Sequence, residues 1–278
     1  MRAETEHATS MQGSDERRSA AIVADRLTFA YPGQPPIFQG LTWRVAPGER
    51  WAVIGPSGCG KSTLLYLLAG LRRPTGGQVI INGVPVTRPR ATVGLVLQDY
   101  GLLPWATVWE NVALGMRLGR FYARKAVDDE ARPYPPPDIP PERVDYWLER
   151  LGIAHLRDAY PSQLSGGQRQ RTAIARTLVL SPSVLLMDEP FSSLDALTRE
   201  DLQSLVLELT AEMALTTVLV THSIEEAALL GCRILVLGRP PISQPTIVEN
   251  PGAGDAAYRG QPEYWQTCAA LRAALAGG

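Results

Sequence analysis

The chain has 278 residues, 45% hydrophobic and 20% charged, with a formal net charge of −1. That balance suits a globular chain of one large α/β domain or two small ones, and it argues against a nucleic-acid partner, which would favour a basic face. No apolar stretch approaches the roughly 18–20 residues needed to span a bilayer, and Cys59, Cys232 and Cys268 form neither a disulfide framework nor a zinc spacing, so a reducing cytosol is expected.

Residues 1–20 mix Glu, Asp, Arg, Ser and Thr around no apolar core, and read as a frayed tail, not a signal peptide or membrane anchor. Strands are predicted at 21–30, 41–46 and 51–55, the first two separated by the turn sequence Pro32-Gly33-Gln34-Pro35-Pro36. A helix follows near 61–71, then strands at 79–82 and 93–98. Residues 101 to 181 are mostly helical, with helices near 107–118, 141–151 and 166–180. Strands at 184–188, 216–221 and 233–238 then alternate with helices near 196–214 and 223–230. Residues 262–276 have the pattern of one further amphipathic helix. The alternation predicts an α/β fold with a mostly parallel core sheet, an antiparallel β subdomain at the start and an inserted helical subdomain at about 101–181. Residues 21–240 would form the main domain and 241–278 an extension. Six prolines in 132–141 exclude helix and central strand there; the stretch reads as a PPII-like loop, plain surface or partner-binding.

Gly55-Pro56-Ser57-Gly58-Cys59-Gly60-Lys61-Ser62-Thr63 fits G-x-x-x-x-G-K-[ST] and lies between an apolar strand and a helix, the context a polyphosphate-binding loop requires. Glycines let backbone N–H groups turn inward, and the helix N-terminus adds partial positive charge. Lys61 can reach the β and γ phosphates, and the Ser62 hydroxyl can ligate Mg²⁺. The simpler alternative is a tight glycine turn joining strand to helix. Cys59 reads as a small filler, not a nucleophile.

Val184 to Met187 is an apolar strand ending in Asp188 and Glu189. Ligands gather at the carboxyl ends of parallel strands. Asp188 there can hold Mg²⁺ opposite Ser62. Glu189, facing the other way in an extended chain, can act as general base; otherwise the two acids cap a helix. In Leu164-Ser165-Gly166-Gly167-Gln168, Ser165 is a good N-cap, and the two glycines allow close backbone approach to a second anion. An ordinary glycine-bearing cap would look the same in isolation.

Together these strings resemble the nucleotide-binding subunit of ABC transporters, over roughly residues 22–238. The resemblance implies an ABC-type P-loop NTPase that binds and hydrolyses ATP with Mg²⁺. It makes 55–62 the Walker A loop, Leu164 to Gln168 the signature, 184–188 the Walker B strand and Glu189 the catalytic acid. Ser192-Ser193-Leu194-Asp195 resembles the D-loop, which assigns Asp195 to the nucleotide site. His222 resembles the switch histidine, Gln98 the Q-loop glutamine contacting metal or water, and Tyr31, 30 residues before Lys61, the aromatic that stacks on adenine. Without the constellation, Tyr31 reads as packing and Gln98 as a solvated side chain.

The resemblance further implies a head-to-tail dimer of two copies with ATP between the Walker A loop of one and the signature of the other. It implies a membrane-spanning permease as direct partner and an extracytoplasmic solute-binding protein as indirect one, with this chain peripheral on the cytoplasmic face of the membrane. Leu102-Leu103-Pro104-Trp105 after Gln98 resembles the nitrate/sulfonate/taurine importer branch, with relatives handling thiamine-pyrimidine precursors. Leu102, Leu103 and Trp105 either form a groove for a permease helix or pack inside the helical subdomain. The Pro-rich stretch makes the helical subdomain longer than that branch leads one to expect, so the partner surface can differ. Rival readings are another ABC transporter ATPase, a soluble ABC ATPase acting on nucleic acid or ribosomes, and a stand-alone Walker A kinase. The single cassette, the lack of a coiled-coil insert and the charge disfavour the soluble ABC ATPase; the signature and the Asp188-Glu189 pair disfavour the kinase.

Overall fold

The computed structural model describes residues 20–125 and 140–277. The expected N-terminal tail and most of the Pro-rich segment lie outside the described residues. The first strands, β1 (Ile22–Phe29), β2 (Phe38–Val45), β4 (Gly76–Ile81) and β5 (Val84–Pro85), form an antiparallel sheet in the order β2-β1-β4-β5. The second sheet is six-stranded. Its β3 (Arg50–Ile54), β6 (Val93–Val96), β7 (Val184–Asp188), β8 (Thr216–Val220) and β9 (Arg233–Val236) are parallel, and β10 (Thr246–Glu249) pairs antiparallel with β9 at the edge. Strand β10 has no counterpart in the sequence reading. Its residues are mostly exposed, so it lacks the apolar run that marks the buried strands.

Burial explains the strand sequences. Every residue of β7 and β8 is buried. On β7, Val184 and Leu186 pack toward the antiparallel sheet and helix α1 (Lys61–Leu68), whereas Leu185 and Met187 pack toward helices on the other face. A period-2 backbone between two apolar layers needs an apolar side chain at every position. An edge-to-face pair, Trp43 against Trp51 at 5.2 Å, ties the antiparallel sheet to the parallel one.

Helices α2 (Val108–Lys125), α3 (Glu142–Arg150) and α4 (Gly166–Leu178) lie between β6 and β7 in sequence, with no described strand among them. Pro141 stands at the N-cap of α3, where a missing N–H costs nothing. Helix α4 lies close on β6: a Cβ at Gly94 would come within 2.4 Å of Thr177 Cγ2. Helix α5 (Ala196–Glu212) leads to β8, and α6 (Ile224–Leu230) to β9. Helix α7 (Pro262–Gly277) buries Tyr264, Cys268 and Leu271 and packs on α6. Asn250 anchors this end of the chain. Its side-chain amide donates to the carbonyls of Ala228 (2.7 Å) and Gly231 (2.8 Å), and its Oδ1 accepts from Tyr258 (2.8 Å) and Thr267 (3.2 Å). Among the described residues no helix is long and apolar enough to cross a membrane.

Candidate functional site

The strand order β9-β3-β8-β7-β6 brings four loops to one sheet edge. The glycine loop follows β3, His222 follows β8, Glu189 follows β7, and Gln98 follows β6. Parallel strands make this juxtaposition automatic, because all their carboxyl ends face the same way.

In the loop, Gly58 and Gly60 have positive φ, +79° and +102°. A Cβ at Gly60 would lie 2.4 Å from Ile37 Cγ2, and one at Gly55 would lie 2.7 Å from Cys59 Sγ and from the Leu237 carbonyl. Pro56, Ser57 and Gly58 are exposed, while Cys59 is buried and its thiol is pushed up by that burial. This agrees with a packing role for Cys59. No side chain caps α1, and its first ladder bond runs from Leu64 N–H to the Gly60 carbonyl. The amides of Lys61, Ser62 and Thr63 therefore stand outside the helix's own ladder, as an anion site requires. Lys61 is buried, and its ammonium donates to the carbonyls of Gly55 (2.9 Å) and Pro56 (3.1 Å) across the loop.

The Ser62 hydroxyl donates 2.9 Å to Asp188 Oδ1. Asp188 is 3% exposed, and burial pushes its carboxyl above the ordinary range, with the Ser62 hydroxyl, Tyr66 and Lys61 pulling the other way. One hydroxyl and one buried carboxylate beside a phosphate cradle are hard oxygen donors. They fit a cation such as Mg²⁺ that takes few protein ligands and completes its shell with water and phosphate. Tyr66, one helical turn after Ser62, also interacts with Asp188. The sequence reading missed it, although the i, i+4 spacing from Ser62 places both on one helix face.

Glu189 departs from the sequence expectation. It is not extended but left-handed, with φ +46°. Its N–H donates 2.9 Å to the Val220 carbonyl, and its Oε2 lies 2.9 Å from His222 Nδ1. One hydrogen bond therefore joins the two side chains, with Nδ1 toward Glu189 and Nε2 on the opposite edge of the ring. Asp188 and Glu189 thus diverge because the strand ends between them, not because an extended strand alternates. Strand β6 likewise ends at Val96, two residues earlier than expected. Gln98 is exposed within a turn closed by Tyr100 N–H donating to the Leu97 carbonyl (3.1 Å).

Tyr31 is half-buried beside the loop. Its hydroxyl lies 3.2 Å from Thr63 Oγ1, Phe29 meets it edge-on at 5.0 Å, and the Arg72 guanidinium lies 5.4 Å over its ring. Arg72, too, was not found from sequence, because an arginine in a polar turn carries no pattern.

Ser165 forms a full capping box. Its Oγ accepts from Gln168 N–H (3.3 Å), and Gln168 Oε1 accepts from Ser165 N–H (2.9 Å). Ser165 is exposed. A Cβ at Gly167 would lie 2.4 Å from Thr198 Cγ2, so the start of α4 rests on the start of α5. Asp195 caps α5, accepting from Thr198 N–H at 3.0 Å, and that backbone bond holds its carboxyl below the usual range. Ser165 to Gln168 and Asp195 thus lie together at the starts of α4 and α5. Of the two readings open for Leu102, Leu103 and Trp105, Leu102 packs on the core and Leu103 is half-buried, while Trp105 is 73% exposed.

The ABC transporter family model matches residues 38–192. This chain belongs to the ABC transporter family. It is 43% identical over 80% of both chains to the taurine import ATP-binding protein TauB of Chromobacterium violaceum. It is 37% identical to the aliphatic sulfonates import ATP-binding protein SsuB of Bacillus anthracis, over 78% of this chain and 80% of that one. Among solved structures it resembles cbiO1 of Clostridium perfringens, part of the ABC transporter complex cbiONQ. The TM-score is 0.67 and the identity 30%, covering 84% of this chain and 89% of that one. The α/β architecture is that of ABC ATPases, and the chain is an ATP-binding, ATP-hydrolysing subunit of this family.

Proposed function

We propose that this chain energises a membrane importer of small solutes of the taurine, sulfonate and nitrate type, working as two copies packed head to tail. Each ATP lies on the loop 55–63 of one copy, with Tyr31 stacked on adenine and Lys61 on the β and γ phosphates. Ser62, Asp188 and Gln98 would hold Mg²⁺, which would neutralise phosphate charge. Glu189 takes the proton of the attacking water, and His222 contacts the γ-phosphate and positions that water. The other copy presents Ser165, Gly166, Gly167 and Gln168 to the same phosphate, with Asp195 at the seam. Hydrolysis removes the γ-phosphate bridge, and the copies part.

The observation that carries this reading is the existence of two separate helix starts on one chain, the uncapped one at Lys61 and the exposed, Ser165-capped one at Gly166. Ser165 is exposed and its hydroxyl is aligned by the capping box, so a second molecule can reach it. The direct partner would be a membrane-spanning permease, fed by an extracytoplasmic solute-binding protein, with this chain on the cytoplasmic face. The relatives named for taurine and sulfonate import support that assignment of solute class.

The test is size-exclusion chromatography of Glu189→Gln with Mg²⁺ and ATP. An ATP-dependent dimer that disappears with EDTA is expected; a monomer at saturating nucleotide would remove the head-to-tail model. Loss of growth on taurine or alkanesulfonates as sole sulfur source, in a strain lacking this chain, tests the solute class.

A further inference from the structure

Tyr100 lies where three parts of the site meet. With φ +61° it sits in the left-handed region, followed by Gly101 at +60°. Its carbonyl accepts from Arg176 of α4 at 2.7 Å, and the same guanidinium donates to the Gly101 carbonyl at 2.5 Å. Arg169, also on α4, places its guanidinium 5.5 Å over the Tyr100 ring. The turn bearing Gln98 is therefore fastened to α4, the helix that begins with Gly166. The Tyr100 hydroxyl lies 2.7 Å from Ser193 Oγ, and a Cβ at Gly166 would lie 3.5 Å from that hydroxyl.

Ser193 belongs to a different part of the fold. It follows the turn after β7, in which Ser192 Oγ donates 3.0 Å to the Glu189 carbonyl. Beyond it, Arg199 holds the Leu194 carbonyl at 2.7 Å. The Tyr100–Ser193 bond thus joins the Gln98 turn and α4 to the segment carrying Glu189.

We propose that Tyr100 is a positioning residue for ATP hydrolysis: its hydroxyl, bonded to Ser193, latches the Gln98 turn to the segment that sets the place of Glu189. The inference rests on the proposed role of Glu189. A hydroxyl pair at the surface contributes little to global stability. Its effect falls on the turnover step, because Glu189 sits on a short turn whose far side is held by this bond. Most of the nucleotide's contacts in this reading come from the loop 55–63 and Tyr31, which the latch does not touch.

The test compares Tyr100→Phe, Ser193→Ala, the double variant and Ser193→Thr in the full chain. Tyr100→Phe keeps the ring under Arg169 and both carbonyl bonds to Arg176, so it folds. The expected result is a kcat about three- to tenfold lower in Tyr100→Phe and in Ser193→Ala, the size of effect one modest hydrogen bond gives. The Tyr100→Phe/Ser193→Ala double variant should be no worse than either of these two alone, ATP affinity unchanged, Tm within about 2 °C, and Ser193→Thr, which keeps the hydroxyl, should keep the native kcat. An unchanged kcat in Tyr100→Phe, additive losses, or a loss confined to ATP affinity would overturn the latch. Glu189→Gln is the control. If it hydrolyses normally, the site reading falls and the latch with it; if it stalls while Tyr100→Phe turns over at the wild-type rate, the latch alone is wrong.

Discussion

His222 Nδ1 stands 2.9 Å from Glu189 Oε2, although 33 residues separate them. Two features produce the contact. Strands β7 and β8 are neighbours in register, Asp188 opposite Val220, so the residues after them are adjacent. The left-handed turn at Glu189, held by its N–H bond to Val220, then swings the carboxylate toward the ring. A non-glycine residue in that region costs roughly 1 kcal/mol or more, which the surrounding bonds offset. His222→Ala should lower kcat by about 100-fold or more while leaving ATP binding intact. A steady-state assay with separate measurement of nucleotide affinity checks this; near-normal turnover would leave the His222–Glu189 pair structural only.

Lys61→Ala should nearly abolish hydrolysis, by at least about 100-fold, because the β and γ phosphates lose their cation. Lys61 also bridges the carbonyls of Gly55 and Pro56, so some loss of loop order is expected as well. Lys61→Met, which keeps the stem, separates the two. Normal ATPase activity in both variants would refute the phosphate-loop assignment.

Removing the Tyr31 ring should weaken ATP binding by about 5- to 100-fold, the range for loss of one base-stacking platform. Binding of inorganic triphosphate, which has no base, should not change in Tyr31→Ala. Arg72 and Phe29 fix the ring from one face and one edge. Equal losses for ATP and triphosphate would show that Tyr31 acts by packing against Thr63.

Ser165→Arg should bind ATP as a monomer yet fail to hydrolyse it, because a bulky cation at the exposed start of α4 keeps a second copy away. Analytical ultracentrifugation in the Glu189→Gln background reads the dimer directly. A dimer forming as before would place the second copy elsewhere.

Glu226 offers a pH test. Its carboxyl is 7% exposed, and burial raises it above its ordinary value of 4.5, against the pull of the Thr221 hydroxyl and Arg199. A raised folded-state value means that the stability from this group is complete below the ordinary value and is lost as pH rises through the elevated one. Glu226→Gln can keep the Thr221 bond without the charge. Its Tm relative to the native chain should therefore be most favourable at neutral pH and decline as pH falls toward about 4.5. A pH-independent difference between the two melting curves would contradict this.

The chain order of motifs was enough to read the family, because each is a local string of its own residues: the G-x-x-x-x-G-K-[ST] pattern ending in Lys61 and Ser62, an apolar strand ending in Asp188, a Ser165 cap before two glycines. The parallel strands and most helices follow from apolar period and capping, which are also local. What only the tertiary structure decided was how distant pieces meet. The reversal of Glu189 toward His222 depends on the neighbouring Val220 carbonyl. Tyr100 against Ser193 depends on α4 lying over β6. Strand β10 forms because β9 offers an open edge, not because its own residues ask for one. Such contacts leave no period or spacing in the chain, since they are set by three-dimensional neighbours and not by sequence neighbours.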